Sequence, residues 1–165
     1  MPHPPLLISG LSGQIGEALL RRGLPMPVLA LSRSARGENL PAVTWRLSTL
    51  EDFTASAPFA AALSLGPLDA FAQAVTEGRI RAARIVALGS TSLHAKVDSP
   101  DPLERAMARR LAAAEAALFA ACRRHRTPCL ILRPTLIWGL GRDANVSRVV
   151  AAARRWRWLP LPVDA

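Results

Sequence analysis

The sequence has little cysteine: its 165 residues include only two, Cys122 and Cys129. The two are seven positions apart, form no C-x-x-C pair and have no histidine at metal-ligand spacing. Because zinc sites and redox dithiols need such spacings, we expect two reduced thiols and no metal. The chain also contains no tyrosine and a single lysine, Lys96, which limits any chemistry that depends on those side chains.

Long hydrophobic runs are also missing, although hydrophobic residues make up 50% of the chain. Pro67 and Asp69 interrupt the most apolar region, residues 59–75. That region therefore falls short of the roughly 18 to 20 uninterrupted apolar residues of a membrane-spanning helix. The start of the chain, MPHPPLLISG, has no basic region ahead of its apolar run, unlike a secretory signal peptide. We expect a cytoplasmic protein without a membrane span.

The formal net charge of +9 comes almost entirely from arginines scattered between Arg21 and Arg157. Nucleic acid or acidic lipid would attract such a charge, and the segment ARRWRWLP interleaves Trp156 and Trp158 with arginine, as a base-stacking platform would. The segment is short, however, and scattered arginine is typical of a GC-rich genome. Nucleic acid is therefore the less favoured partner.

Short apolar runs alternate with segments of helical periodicity along the chain. The runs predict buried strands at Leu6–Ser9, Val28–Leu31, 42–48, Phe59–Leu65, 84–92 and 128–134. The periodic segments predict helices at Ile15–Arg22, Leu68–Glu77, Leu103–Arg123 and from Asn145 or Ser147 onward. This alternation is typical of a parallel sheet covered by helices on both faces, and we expect one domain over residues 1–165.

The longest predicted helix has an apolar stripe along one side. The stripe, which we expect to face the core, consists of Leu103, Met107, Leu111, Ala114, Leu118 and Ala121. Glu115 and most of the other charged residues of the helix fall on the opposite side, where we expect solvent.

Three glycines follow the first strand at intervals of three residues: Gly10, Gly13 and Gly16. A dinucleotide-binding fold needs glycine at this junction for a tight turn, for close approach of the backbone to a pyrophosphate and for close packing of the helix. The helix N-terminus then offers free N–H groups and the positive end of its dipole to the phosphates. We expect a Rossmann-like, doubly wound α/β fold that binds a dinucleotide; a merely structural turn is the alternative.

The end of the second strand bears on the choice of cofactor. NAD-preferring folds place a carboxylate there for the ribose hydroxyls, whereas NADP-preferring folds tend to place an arginine for the 2′-phosphate. The sequence reads Ser32, Arg33, Ser34, with Arg36 nearby, and has no carboxylate between Glu17 and Glu38. NADP(H) is therefore the expected cofactor, with NAD(H) as the alternative, unless Arg33 is simply a solvated loop residue.

These glycines, together with the later segment ILRPTLIWGLGRDAN, resemble the extended and atypical short-chain dehydrogenase/reductase superfamily, in its NAD-dependent epimerase/dehydratase branch. The likeness covers essentially the whole chain. Members of this branch carry an Arg-Pro and then an aromatic-Gly pair after the sixth strand, here Arg133, Pro134, Trp138 and Gly139. In the family, the segment that follows this strand lines the nicotinamide pocket.

The resemblance also implies a set of site residues. The residues that would contact the cofactor are Gly10, Ser12, Gly13, Gln14, Ile15, Gly16, Ser32, Arg33, Ser48, Leu65, Gly66 and Pro134. The hydroxyl that the family uses in catalysis would be supplied by Ser90 or Thr91 in the segment GSTS.

The family's acid–base pair, Tyr-x-x-x-Lys, is missing. Counting back from Glu115, which resembles the family's helix glutamate, its two positions fall on Met107 and Leu111. Loss of a positioned acid or base forfeits about a hundredfold to ten-thousandfold in rate, so the ordinary family mechanism is excluded at ordinary efficiency. Lys96 and His94 could in principle reach the site, but we expect both to be solvated loop residues.

Three functions remain open at this point. The first is an NADP-binding protein with unconventional catalysis on a carbonyl or nucleotide-sugar substrate. The second is a non-catalytic cofactor sensor or accessory subunit, similar to the dehydrogenase-like subunits of respiratory complexes, with a protein partner or a second copy as its neighbour. The third is a scaffold whose arginine-rich surface binds nucleic acid or acidic lipid.

Extended members of the family continue into a domain that closes over the substrate. Here the sequence given stops at LPLPVDA, and the start of such a domain would fall near residues 155–165. We expect either a cofactor-binding half on its own or a fragment of a longer protein, with most of the substrate pocket outside this sequence.

Overall fold

The computed structural model describes residues 4–34, 40–141, 143 and 146–157. It divides into two compact units, Met1–Thr135 and Leu136–Ala165. The first unit contains a sheet of six strands in the order β3-β2-β1-β4-β5-β6, in which every pairing is parallel. The strands are β1 Leu6–Ser9, β2 Val28–Ser32, β3 Val43–Leu47, β4 Ala61–Ser64, β5 Ile85–Leu88 and β6 Cys129–Leu132.

Helices connect β1 to β2, β4 to β5 and β5 to β6, as the sequence predicts, whereas the described parts of the connections from β2 to β3 and from β3 to β4 contain no helix. The helices of the first unit are α1 Gln14–Arg22, α2 Leu68–Thr76, α3 Ser92–Ala95 and α4 Pro102–Arg124. The second unit contains α5, Val146–Trp156. Pro102 suits the first turn of α4 because its missing N–H needs no partner there, and the side chain of Asp101 caps the helix by accepting from Leu103 N at 2.8 Å.

Two apolar clusters cover the two faces of the sheet. On one face, residues of α2 and α4 such as Phe71 and Leu118 pack against Leu7 and Ala87 of the strands. On the other face, Leu20 of α1 packs against Ile8 and neighbouring residues of β1 and β2. The fold is therefore the expected Rossmann-like α/β fold, with the reversal of strand order between β1 and β4.

The predicted stripe of α4 is right in its second half and wrong in its first. Ala114, Leu118 and Ala121 are buried as expected, whereas Leu103 is 78% exposed and Met107 49% exposed. A helix of 23 residues is about 34 Å long, whereas strands of four or five residues span about 13 to 17 Å. The helix is therefore longer than the strands on which it packs. Ala108, the neighbour of Met107, is only 1% exposed, so the buried face at this level of α4 passes through Ala108 and not through Met107.

Within the described ranges, no helix is long and apolar enough to cross a membrane.

Candidate functional site

The glycine turn lies where the strand order reverses. Gly10 has a φ of +81°, and a Cβ there would lie 2.8 Å from the backbone carbon of Leu65 at the end of β4. Gly16, the first buried residue of α1, has no room for a side chain because a Cβ would collide with the backbone of Leu11. These two glycines are therefore required by the close packing of the turn itself.

Gly13 differs from the other two glycines. It is the N-cap of α1 with an extended backbone, φ −84° and ψ 179°, and its N–H donates to Gly10 O at 2.9 Å. A Cβ at Gly13 would meet only Gly10 O, at 3.2 Å. No side chain caps the helix at this residue. The adjacent first turn, which includes Gln14 and Ile15 and follows Ser12, presents a helix N-terminus of the kind that binds phosphate.

The segment after β2 has a defined shape. The Ser32 hydroxyl, in a residue only 6% exposed, donates to Ser34 O at 2.8 Å, and Ser34 N donates back to Ser32 Oγ at 3.4 Å. This short turn leaves Arg33 between them, exposed to solvent. Arg36, the second arginine expected near the cofactor, lies outside the described residues.

Three further candidate residues follow neighbouring strands at the same edge. Ser48 N donates to Ser32 O at 3.0 Å, which holds the end of β3 beside the end of β2. Leu65 N donates to Ser9 O at 2.9 Å, and Gly66 follows next to the Gly10 turn. The structure therefore brings the candidate adenine, ribose and pyrophosphate contacts to one edge of the sheet.

The candidate catalytic hydroxyls follow β5 at this edge, and both already have partners. Ser90 Oγ donates to Ser92 Oγ at 3.0 Å and accepts from Ser92 N at 3.1 Å. Thr91 N donates to Pro134 O at 3.4 Å, and the Thr91 hydroxyl lies 3.5 Å from the same oxygen. Pro134, which follows β6, is thus joined to the segment after β5.

A pocket of about 310 Å³ lies between the ends of β4 and β5 and helix α4. Its lining includes Gly66, Gly89, Leu111 and the ion pair of Arg110 with Asp69, whose closest atoms are 3.2 Å apart. At the family's tyrosine and lysine positions, Met107 is half-exposed and Leu111 half-buried. Neither side chain can donate or accept a proton.

A partly buried ion pair beside this pocket corrects the sequence prediction, which is wrong in placing Glu115 on the solvent side of the helix. Glu115 is only 4% exposed, and both its carboxylate oxygens accept from Arg133 Nε at 3.0 Å. Glu115 also raises the pKa of Arg133, through hydrogen bonding first and charge second. Gly89 makes room for this pair, because a Cβ there would collide with Glu115 Oε1. In the sequence, the signals for this ion pair were Gly89, which follows β5, and Arg133, which follows β6.

Lys96 differs from expectation, whereas His94 is exposed as expected, although in the short helix α3 and not in a loop. Lys96 Nζ donates to Glu104 Oε1 at 2.6 Å, and Ser99 Oγ donates to Glu104 Oε2 at 2.7 Å. Both hydrogen bonds lower the pKa of Glu104, the one from Lys96 most. Lys96 is therefore an ion-paired residue that ties the end of α3 to the start of α4, not a solvated lysine.

The aromatic-Gly pair of the resemblance lies in the second unit. Trp138 is 70% exposed, and Gly139 has a φ of +112°. Asp143 precedes α5 and accepts hydrogen bonds from Ser147 N at 2.9 Å and from Ser147 Oγ at 2.6 Å. These hydrogen bonds lower the pKa of Asp143. Among the residues that the structure describes, no group of three or more His, Cys, Asp and Glu side chains could hold a metal ion.

Solved structures share this fold. The chain matches a putative epimerase from Burkholderia cenocepacia J2315 with a TM-score of 0.58 at 18% identity, over 93% of this chain and 62% of that one. It matches the oxidoreductase ylbE from Lactococcus lactis with a TM-score of 0.54 at 13% identity, over 92% of this chain and 84% of that one. The likeness is one of fold. No protein-family model and no curated protein matches the sequence.

Proposed function

We propose that this chain is an NAD(P)-binding protein of the epimerase/dehydratase type, within the short-chain dehydrogenase/reductase superfamily, with NADP(H) as its preferred cofactor. The observation that carries the proposal is the turn from Gly10 to Gly16, which leads into an N-terminus of α1 without a side-chain cap. The two structural neighbours, described as a putative epimerase and an oxidoreductase, agree with this class.

The residues at the carboxyl edge fit such a cofactor. Ser12, Gly13 and Gln14 would lie against the pyrophosphate, because the N-terminus of α1 directs the positive end of its dipole toward this edge. Arg33 would hold the 2′-phosphate, because its exposed guanidinium follows β2 and no carboxylate competes for it in the segment LSRS. When bound, a nicotinamide dinucleotide supplies hydride transfer.

A second candidate function, a non-catalytic cofactor sensor or accessory subunit, is favoured by one specific observation. The side chains at the tyrosine and lysine positions that the resemblance implies, Met107 and Leu111, are apolar, and Lys96, Ser90 and Thr91 already have partners. An acid or base must reach the reacting atom to act. Turnover through Ser90 or Thr91 would therefore need that side chain to exchange its present partner for the substrate.

Cofactor binding is tested by Gly13→Val. The branched Cβ has nearly enough room within the fold, 3.2 Å from Gly10 O, but occupies the space that a pyrophosphate needs. We expect NADPH binding, followed by cofactor fluorescence, to be lost while the circular dichroism spectrum is kept. Ala18→Val is the matched control, because Ala18 is an exposed residue of the same helix. Unchanged affinity in Gly13→Val would refute the proposal.

Catalysis is tested separately. The protein is incubated with NADPH and a panel of carbonyl and nucleotide-sugar substrates while absorbance is followed. Tight binding without oxidation of NADPH or conversion of any substrate would favour the sensor or accessory subunit. Turnover that Ser90→Ala or Thr91→Ala abolishes would favour an enzyme with unconventional catalysis.

A further inference from the structure

A larger cavity lies at the opposite edge of the sheet from the glycine turn. It has a volume of about 900 Å³, and its lining includes the first residues of β1, β4 and β5, which are Leu6, Ala61 and Ile85. All the strands are parallel, so these residues mark the amino edge, whereas Gly10 and Gly66 follow the carboxyl ends of β1 and β4. The length of the strands therefore separates this amino-edge cavity from the candidate cofactor site.

The walls of the amino-edge cavity are apolar and fixed. Phe59, Val75, Ile80 and Ile85 line it, and each is at most 6% exposed. Phe59 N donates to the backbone oxygen of residue 81 at 2.9 Å, and the N–H of residue 83 donates to Phe59 O at 3.0 Å, which joins two wall segments. Its volume lies within the range of small-molecule sites, about 300 to 1,000 Å³.

The charge of the lining has one sign. Of the residues that the structure describes, Arg81 and Arg84 are the charged ones that line the cavity, and no acidic residue does. Arg81 and Arg84 are exposed, and neither forms an ion pair with any residue in the described ranges. An anion bound here would gain charge-assisted hydrogen bonds without displacing a carboxylate. An apolar cavity beside two available guanidinium groups thus favours a ligand with an apolar body and an anionic head.

We propose that the amino-edge cavity binds a free single-chain anionic amphiphile, such as a medium-chain carboxylate. The chain of the ligand lies against the accessible apolar lining residues Leu6, Met26 and Pro58, and its head group is held by Arg81 and Arg84. This site is independent of the proposed cofactor site, since the two share no residue.

Isothermal titration calorimetry with decanoate tests the site. Arg81→Ala/Arg84→Ala is expected to weaken the binding of decanoate about tenfold or more. The loss of a charge-assisted hydrogen bond weakens binding by about tenfold or more. Arg22→Ala/Arg109→Ala is the control: it removes the same charge from exposed arginines that do not line the cavity. Decanol, which lacks the charge, should bind more weakly than decanoate to the wild type and equally to both double variants.

A third variant tests the apolar part of the proposal. Ala83 is exposed at the cavity, and Ala83→Trp should weaken decanoate and decanol alike by filling space. Equal decanoate affinity in the two arginine double variants, or no binding by the wild type, would overturn the proposal. So would a dimer in sedimentation velocity that Arg81→Ala/Arg84→Ala dissociates, because the cavity would then be a contact between copies. NADPH titration of the same variants should be unchanged, which keeps the two hypotheses separate.

Discussion

The two edges of this sheet are built from the same strands but differ in packing and in charge. At the carboxyl edge, glycines and short polar turns bring backbone segments together, as where the Cβ position of Gly10 lies 2.8 Å from Leu65. At the amino edge, Pro58, Phe59 and the arginines near β5 surround an open cavity of about 900 Å³. Cavity size alone would therefore favour the amino edge. Recognition of a phosphate depends instead on close approach of the backbone to the ligand and on a helix N-terminus, and these features favour the carboxyl edge.

The largest effect that sharpens this comparison is expected at Gly16. Gly16→Ala forces its Cβ against the Leu11 backbone, which cannot move without displacing the turn. We expect a loss of about 2 to 4 kcal/mol in the free energy of unfolding, in the upper range for overpacking, measured by guanidinium denaturation. Ala83 is exposed at the amino edge, so Ala83→Val should change the free energy of unfolding by less than about 0.5 kcal/mol. Similar losses at both edges would contradict the difference in packing.

The ion pair beside the candidate site should show a strong asymmetry. Arg133→Ala leaves the Glu115 carboxylate, 5% exposed, without its main partner, whereas Glu115→Gln leaves an arginine that is 39% exposed and can turn to water. A buried charge without a partner is costly, so Arg133→Ala should lower the denaturation midpoint more than Glu115→Gln. The double variant Glu115→Leu/Arg133→Leu should recover part of the loss. A midpoint lower in Glu115→Gln would contradict this arrangement.

The choice between NADPH and NADH is expected to depend on Arg33. Arg33→Ala should weaken the binding of NADPH by about 1.5 to 3 kcal/mol, which is the range for hydrogen bonds to charged groups, and leave the binding of NADH nearly unchanged. The preference would then fall by about one to two powers of ten. Arg33→Asp should go further, because a carboxylate repels the 2′-phosphate and accepts from the ribose hydroxyls of NADH. Titrations of both cofactors check this, with Arg22→Ala as the control; equal losses for both would refute the role of Arg33.

These cases show what the sequence could and could not predict. Alternating strands and helices, the glycine turn and the buried residues Ala114, Leu118 and Ala121 follow from local periodicity, and the structure agrees. Leu103 and Met107 share the same periodicity but are exposed, while Ala108 beside Met107 is buried, and periodicity does not reveal which small residues the core covers. The burial of Glu115 depends on Arg133, eighteen positions later, a distance at which no local pattern operates.

The thiols at the amino edge provide a smaller test, through pH. Burial, and then the neighbouring Cys129, raises the pKa of Cys122 from its ordinary value of 9.0 to about 12. The unfolded thiol ionises near its ordinary pKa, so the stability contributed by the neutral folded thiol is complete below about pH 9 and is lost between there and about 12. Chemical denaturation from pH 8 to 11 should show this decline, and Cys122→Ala should make it shallower. An identical slope in both proteins would contradict it.

The smallest effect is expected at the carboxyl edge, where Lys96 holds Glu104. The pair is about one-third exposed on both sides, so solvent screens it and Lys96→Ala should leave the denaturation midpoint nearly unchanged at neutral pH. The local effect is larger than the global one, because Lys96 and Ser99 together tie the end of α3 to α4. Both lower the pKa of Glu104, so this connection is intact above the ordinary pKa of a glutamate and is lost as pH falls through the lowered one. The hydrogen-exchange protection factors of residues 92–99 should fall in Lys96→Ala at pH 7 and, in the wild type, only in acid. If Lys96 instead acts on a substrate, the variant would lose turnover while the exchange rates stay the same.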